Sequence, residues 1–164
     1  MLSNSKIAPE MYRDAMSRYA GHVQIVTAEH QGVRRGVTVT AACSVSDNPA
    51  TVLVCVAKDN PANRVFVEAG AFALNTLAAR HQPLADVFSG LIPMDGARRF
   101  EQGVWDKLET GAPTLADAQV VYDCKLIEAK EVATHIVLFG QVAALRLGDS
   151  EPALIYMNRT YHTV

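Results

Sequence analysis

Polar and apolar positions alternate with a period of two along much of the chain, and only short stretches follow the helical period. Val37, Val39 and Ala41 alternate with Thr38, Thr40 and Ala42, which predicts a strand with two different faces. Residues 23–28, short and β-branched, predict another strand, with a turn at Gln31-Gly32. After the polar break Asp47-Asn48-Pro49, residues 51–57 are almost continuously apolar. That is the pattern of a strand covered on both faces, although another buried element would read the same way. Residues 71–77, the long pair Val120–Val132 and His135–Leu147, and residues 153–157 beyond the turn Gly148-Asp149-Ser150 complete the predicted strands.

Helical spacing is confined to three places. Residues 9–20 carry Tyr12, Ala15, Met16 and Tyr19 on one face with Gly21 as a stop signal; residues 62–68 are closed by Gly70; residues 83–88 are ended by Ser89-Gly90. Residues 91–113, rich in Gly, Pro and charge, read as loop. Six or seven strands that do not alternate regularly with helices argue against a doubly wound parallel sheet. They favour a mainly β fold, an antiparallel barrel with peripheral helices, formed as one domain over residues 1–164.

Composition narrows the function. The chain has 164 residues, 49% hydrophobic and 20% charged, as expected of a folded domain with a substantial core. No apolar run approaches the roughly 18 residues of a membrane span, and the N-terminus lacks the basic and apolar regions of a signal peptide. The expectation is therefore a cytoplasmic protein without membrane contact. A formal net charge of −2, with Arg34-Arg35 and Arg98-Arg99 as isolated pairs, offers no basic footprint for nucleic acid. The three cysteines, Cys43, Cys55 and Cys124, form neither a Cys-x-x-Cys motif nor a local zinc pattern with histidine, so no metal site is expected. Cys55 reads as a buried small hydrophobe. Rossmann, P-loop, nucleophile-elbow and His-Glu-x-x-His motifs are all absent.

Residues 36–46 (GVTVTAACSVS) hold the most informative chemistry. Small Ala41 and Ala42 would let a flat aromatic ligand approach the backbone. Hydroxyls of Thr38, Thr40, Ser44 and Ser46, with free amides at a strand end, could hold a phosphate without a full positive charge. Taken alone, the segment reads first as a Thr-rich exposed strand followed by a turn.

The order GVTVTAACSVS, an apolar strand, ALNTL, LADVFSG, THIVLFGQV and ALIYMNRTYH resembles the short-chain flavin reductase family, FMN-binding split-barrel proteins, from about Tyr12 to His162. The resemblance implies a homodimeric split β-barrel with FMN or FAD near the subunit interface. It places the flavin ring against Thr38, Val39, Thr40, Ala41 and Ala42, and a phosphate-binding turn at Cys43, Ser44, Val45 and Ser46. The second flavin-side strand falls at Asn75, Thr76 and Leu77. The Asn75 amide offers a donor and an acceptor to a cofactor edge, or equally caps a strand end. Many relatives carry Gly-Asp-His where this chain has Ala133-Thr134-His135, and Gly-Arg/Lys-Tyr-His where it has Asn158-Arg159-Thr160-Tyr161-His162. His162 is the expected catalytic group near the nicotinamide, with His135 second, and Tyr161, beside His162, is an expected cofactor contact. His22, His30 and His81 have weaker cases, and Trp105 either stacks on a cofactor or anchors its loop.

The implied reaction is hydride transfer from NADH or NADPH to FMN or FAD, with reduced flavin supplied to a partner monooxygenase. Two other readings stay open: reduction of a corrin cobalt in cobalamin synthesis, and a non-enzymatic flavin- or haem-binding module using His135 or His162 as an axial ligand.

Overall fold

The computed structural model describes residues 6–164; the leading residues 1–5, part of the segment read above for a signal peptide, lie outside it. Twelve strands are formed among the described residues: β1 Gly21–His22, β2 Gln24–His30, β3 Val33–Val39, β4 Ala42–Asp47, β5 Ala50–Ala57, β6 Ala71–Thr76, β7 Trp105–Lys107, β8 Pro113–Leu115, β9 Val120–Val132, β10 His135–Leu147, β11 Leu154–Met157 and β12 Thr160–Thr163. The helices are α1 Pro9–Ser17, α2 Val65–Glu68, α3 Gln82–Ser89 and α4 Gly96–Arg99. None is long and apolar enough to cross a membrane.

Seven strands form one sheet in the order β3-β2-β6-β9-β10-β5-β4, with antiparallel neighbours. Its two edge strands, β3 and β4, are consecutive in the chain and separated only by Thr40 and Ala41. A flat sheet of this order would hold its edges about 29 Å apart, at roughly 4.8 Å per strand. The three peptide units from Val39 to Ala42 reach no further than about 11 Å. The sheet must therefore roll up to bring its edges together, and the Cys55 N–H, donating to the Ala41 carbonyl at 2.9 Å, extends the β4–β5 ladder into the crossing. This is the antiparallel split barrel that the sequence predicted.

Two apolar clusters stabilise it. Val26, Val54, Phe72 and Leu138 lie in one; Ile25, Leu77, Leu84, Phe88, Leu115 and Leu154 lie in the other. Adjacent residues of β2 enter different clusters, so this strand is buried on both faces between barrel interior and α3.

Several expectations are corrected. The run in β5 is fully covered along one face only: Val52, Val54 and Val56 point inward, while on the outer face Thr51 is buried and Leu53, Cys55 and Ala57 are half-buried. Residues 36–46 are not one strand and a turn. β3 stops at Val39, and Cys43, Ser44, Val45 and Ser46 are in β4, because pairing with β5 through an irregularity at Ser44/Ser46 supplies their backbone partners. The final strand is a hairpin, β11–β12, turned by Asn158 and Arg159 at φ 52° and 58°. No glycine marks this turn, so it escaped the sequence pattern. The loop at 91–113 also contains α4 and β7.

Candidate functional site

Two cavities flank the Thr40–Ala41 crossing. The larger, about 550 Å³, is walled by Thr38, Val39 and Thr40 on one side and by α3 and the β11–β12 hairpin on the other. The second, about 410 Å³, is walled by Cys43, Ser44 and Ser46 of β4, with Thr51, Thr76 and His22 opposite. The residues that the sequence grouped as one segment thus serve two neighbouring spaces.

Glycine makes the approach of these elements possible. A Cβ on Gly36 would lie 2.4 Å from Phe88, so only a residue without one lets α3 pack on β3. At Gly21 a Cβ would lie 2.8 Å from the Thr40 Cβ, so the bare backbone of β1 lets it close on the crossing. Thr38 completes the β3–α3 contact by donating its hydroxyl to the Ala85 carbonyl at 2.7 Å.

α3 presents Gln82, Asp86 and Ser89 to the larger cavity, spaced four and three residues apart on one helix face. Asp86 makes no ion pair among the described residues, and its Oδ1 is buried without a hydrogen-bond partner. Across from it stands Tyr161, whose ring packs edge-on against Tyr156 at a centroid distance of 5.3 Å. Burial, and then the Asp86 carboxylate, push the Tyr161 hydroxyl up to about 12. Arg159 also lines this cavity, with its guanidinium engaged by Asp14.

In the second cavity the hydroxyls are partly committed. Ser46 Oγ accepts from the Asn48 N–H at 3.2 Å, Thr51 donates to the Pro49 carbonyl at 2.9 Å, and Thr76 donates to Gln24 at 3.2 Å. β4 pairs with β5 alone, which leaves its other edge free of strand partners.

The remaining sequence candidates fall elsewhere. Asn75 is fully buried; its Nδ2 donates to the Ile25 carbonyl at 2.9 Å and to Thr27 at 3.1 Å, and its Oδ1 accepts from the Leu115 N–H at 2.8 Å. Both ends of the amide are occupied, so it ties β6 to β2 and β8 and has nothing left for a cofactor edge. Leu77 is core. Ala42 packs against the barrel core and Val45 is exposed. His162 shares a sheet row with Ile155 and His22, on the face opposite Tyr161, and its Nε2 bonds the Met157 carbonyl at 3.0 Å. His135 is exposed beside Thr134 at the start of β10. It is paired with Ala57, six residues along β5 from Thr51, or about 20 Å at 3.3 Å per residue. His81 is buried, its Nδ1 accepting from the Ala78 N–H at 3.1 Å. Trp105 anchors its loop, with ring centroids 5.4 Å from Phe88 and 5.0 Å from Phe100. Asp86 went unnoticed in the sequence, although its spacing from Gln82 and Ser89 marks a polar stripe on an otherwise apolar helix.

Comparison with known proteins fits this architecture. Residues 16–164 match the family model described as flavin reductase like domain. A protein named FMN reductase (NADH) RutF, from Ancylobacter novellus, is 44% identical over 158 residues, covering 96% of this chain and 86% of its own. The crystal structure of a putative flavin reductase from Haemophilus somnus superposes with a TM-score of 0.91 at 35% identity, covering 96% of this chain and all of that one. BorF, the flavin reductase component of a bacterial two-component tryptophan halogenase, superposes at 0.86 with 26% identity, covering 96% and 98%. With the family model matching nearly the whole chain on a rolled sheet of this topology, the protein belongs to the flavin reductase-like family.

Proposed function

We propose that this chain is an NADH-dependent FMN reductase whose flavin lies across the Thr40–Ala41 crossing. The arrangement that carries the reading is the pair of cavities on either side of that crossing, one lined by the Ser44 and Ser46 hydroxyls and one by the Tyr156 and Tyr161 rings. The walls suit a flavin: β3 and β4 offer a small-residue backbone to a flat ring, and the free edge of β4 offers amides beside Ser44 and Ser46 to a phosphate. A flavin held there would supply the acceptor for hydride from the nicotinamide.

The protein's part is placement. Thr38–Thr40 form the wall for the ring, and Ser44 and Ser46 hold the tail. Tyr161 stands on the dinucleotide side of the larger cavity, while His162, which the resemblance placed at the nicotinamide, lies on the opposite face of its strand. No side chain needs to act as a nucleophile, because two rings held at reacting distance supply the reaction coordinate.

The same reading extends to assembly. Leu53 and Cys55 of β5 and Val137 and Phe139 of β10 form an outward apolar patch, in register as Leu53 with Phe139 and Cys55 with Val137. A second copy covering this patch accounts for the apolar character of both faces of β5. The homodimer works as a cytoplasmic unit over residues 1–164, where NADH is supplied and three unpaired thiols persist. It passes reduced flavin to a partner oxygenase. The test is NADH oxidation by purified, flavin-stripped protein. Stimulation by added FMN is expected; oxidation unaffected by any flavin would overturn the proposal.

A further inference from the structure

We propose that the corner of the larger cavity formed by Asp86, Tyr156 and Tyr161 binds the adenosine of the reduced dinucleotide, and that Asp86 thereby selects NADH over NADPH. The inference rests on the flavin reductase reading and adds to it the residue that chooses the hydride donor.

Two hydroxyls beside the helix are already committed inside the protein: Thr38 donates to the Ala85 carbonyl, and Ser89 donates to the Asp86 carbonyl at 2.9 Å. Asp86 brings a carboxylate whose Oδ1 is buried without a hydrogen-bond partner, and the Tyr161 hydroxyl, a donor as well as an acceptor, lies beside it. Asp86 has no cation of its own, since the one other charged side chain on the wall, Arg159, is held by Asp14. A shielded, uncompensated carboxylate calls for a neutral hydrogen-bond donor. A ribose with free 2′- and 3′-hydroxyls supplies donors there. A 2′-phosphate supplies none and sets about −1.5 to −2 charges against the carboxylate. The Tyr156–Tyr161 pair places aromatic faces and edges beside the acid, where a purine can pack. An acidic group on the ribose hydroxyls is also how dinucleotide folds of unrelated topology distinguish the two coenzymes. Here the group comes from a helix face packed onto a barrel edge.

The experiment compares kcat/KM for NADH and NADPH with FMN saturating, in wild type and in Asp86→Asn and Asp86→Ser. Wild type is expected to prefer NADH at least tenfold. The variants are expected to lower that preference about tenfold, through a higher KM for NADH and a lower KM for NADPH. A purely structural role would move both substrates together, and that result overturns the inference. If neither variant folds, wild type decides: its discrimination against NADPH should shrink as salt screens the carboxylate, and salt-independent discrimination overturns the proposal. Equal use of both nucleotides by wild type removes this inference and leaves flavin reduction standing. Failure of both nucleotides to reduce flavin removes both. FAD serves as the remaining arm: an Asp86 effect seen with FAD and absent with FMN would assign the corner to the flavin's own adenosine and overturn the role in donor selection.

Discussion

Tyr161 and His162 are consecutive in β12 and stand on opposite faces of the sheet β1–β11–β12. Tyr161 shares its row with Tyr156 and Gly21 and faces the cavity beside Asp86; His162 shares its row with Ile155 and His22. Strand alternation allows only one of the pair to line that cavity.

Tyr161→Phe is therefore expected to raise the KM for NADH about fivefold, the loss of one hydrogen-bonding group worth roughly 1 kcal/mol. His162→Ala should stay within about twofold, the range of a surface substitution of 0.5 kcal/mol. Steady-state kinetics on the two variants decide this, and the reverse order of effects would return the role to the histidine.

Asn75 should behave as a structural residue. Asn75→Ala leaves the Leu115 N–H and the Ile25 carbonyl without their side-chain partner in a fully buried site. A loss of about 2–4 kcal/mol is expected in urea unfolding, with little change in the m-value. A destabilisation below about 0.5 kcal/mol combined with lost flavin affinity would instead favour the cofactor role.

Gly36→Ala tests the seating of α3. The new Cβ would fall 2.4 and 2.6 Å from two carbons of Phe88, which is itself buried and cannot swing away. Overpacking of this kind costs about 1–3 kcal/mol, and the displaced helix should carry Asp86 with it. The thermal midpoint and the KM for NADH should worsen together; a variant that loses stability while keeping its KM would show the helix to be less firmly coupled to the site.

Cys124 gives a pH dependence with a defined sign. Burial, then Asp123, push its thiol up to about 12 from an ordinary 9.0. The unfolded chain ionises first, so the thiol's contribution is complete below about pH 9 and is lost as pH rises from 9 toward 12. Cys124→Ala should flatten the alkaline fall in stability by at most about 1.4 kcal/mol per pH unit. Unfolding curves between those pH values measure it, and identical slopes would contradict the assignment.

Leu53→Lys probes assembly. A charge in the outward patch of β5 and β10 should shift the protein from dimer to monomer in sedimentation while leaving the inward Val52, Val54 and Val56 packed. An unchanged sedimentation coefficient would place the dimer contact elsewhere.

Strand periodicity was legible because it follows from local geometry. The alternation through Val37 and Val39 and the long β9–β10 pair show a period of two that no helix accommodates, and the short apolar run of β5 is bounded by the polar break at Asp47-Asn48-Pro49. The short-range order of motifs also carried the family resemblance. The sequence thereby determined the mainly β barrel, the helices near Pro9, Val65 and Gln82, and the segment at which the cavities lie. Which face a side chain occupies, and what already occupies its hydrogen bonds, depended on partners distant in the chain. Asn75 looked like a cofactor ligand until Ile25, Thr27 and Leu115 were seen to take its amide. Cys43–Ser46 looked like a turn until β5 paired with it. Asp86 became visible only when Gly36 let its helix close against the barrel edge, bringing the acid to Tyr161 across some 75 residues of chain. Periodicity is a property of neighbours in sequence; the environment of a carboxylate or an amide belongs to neighbours in space, and only the rolled sheet supplies those.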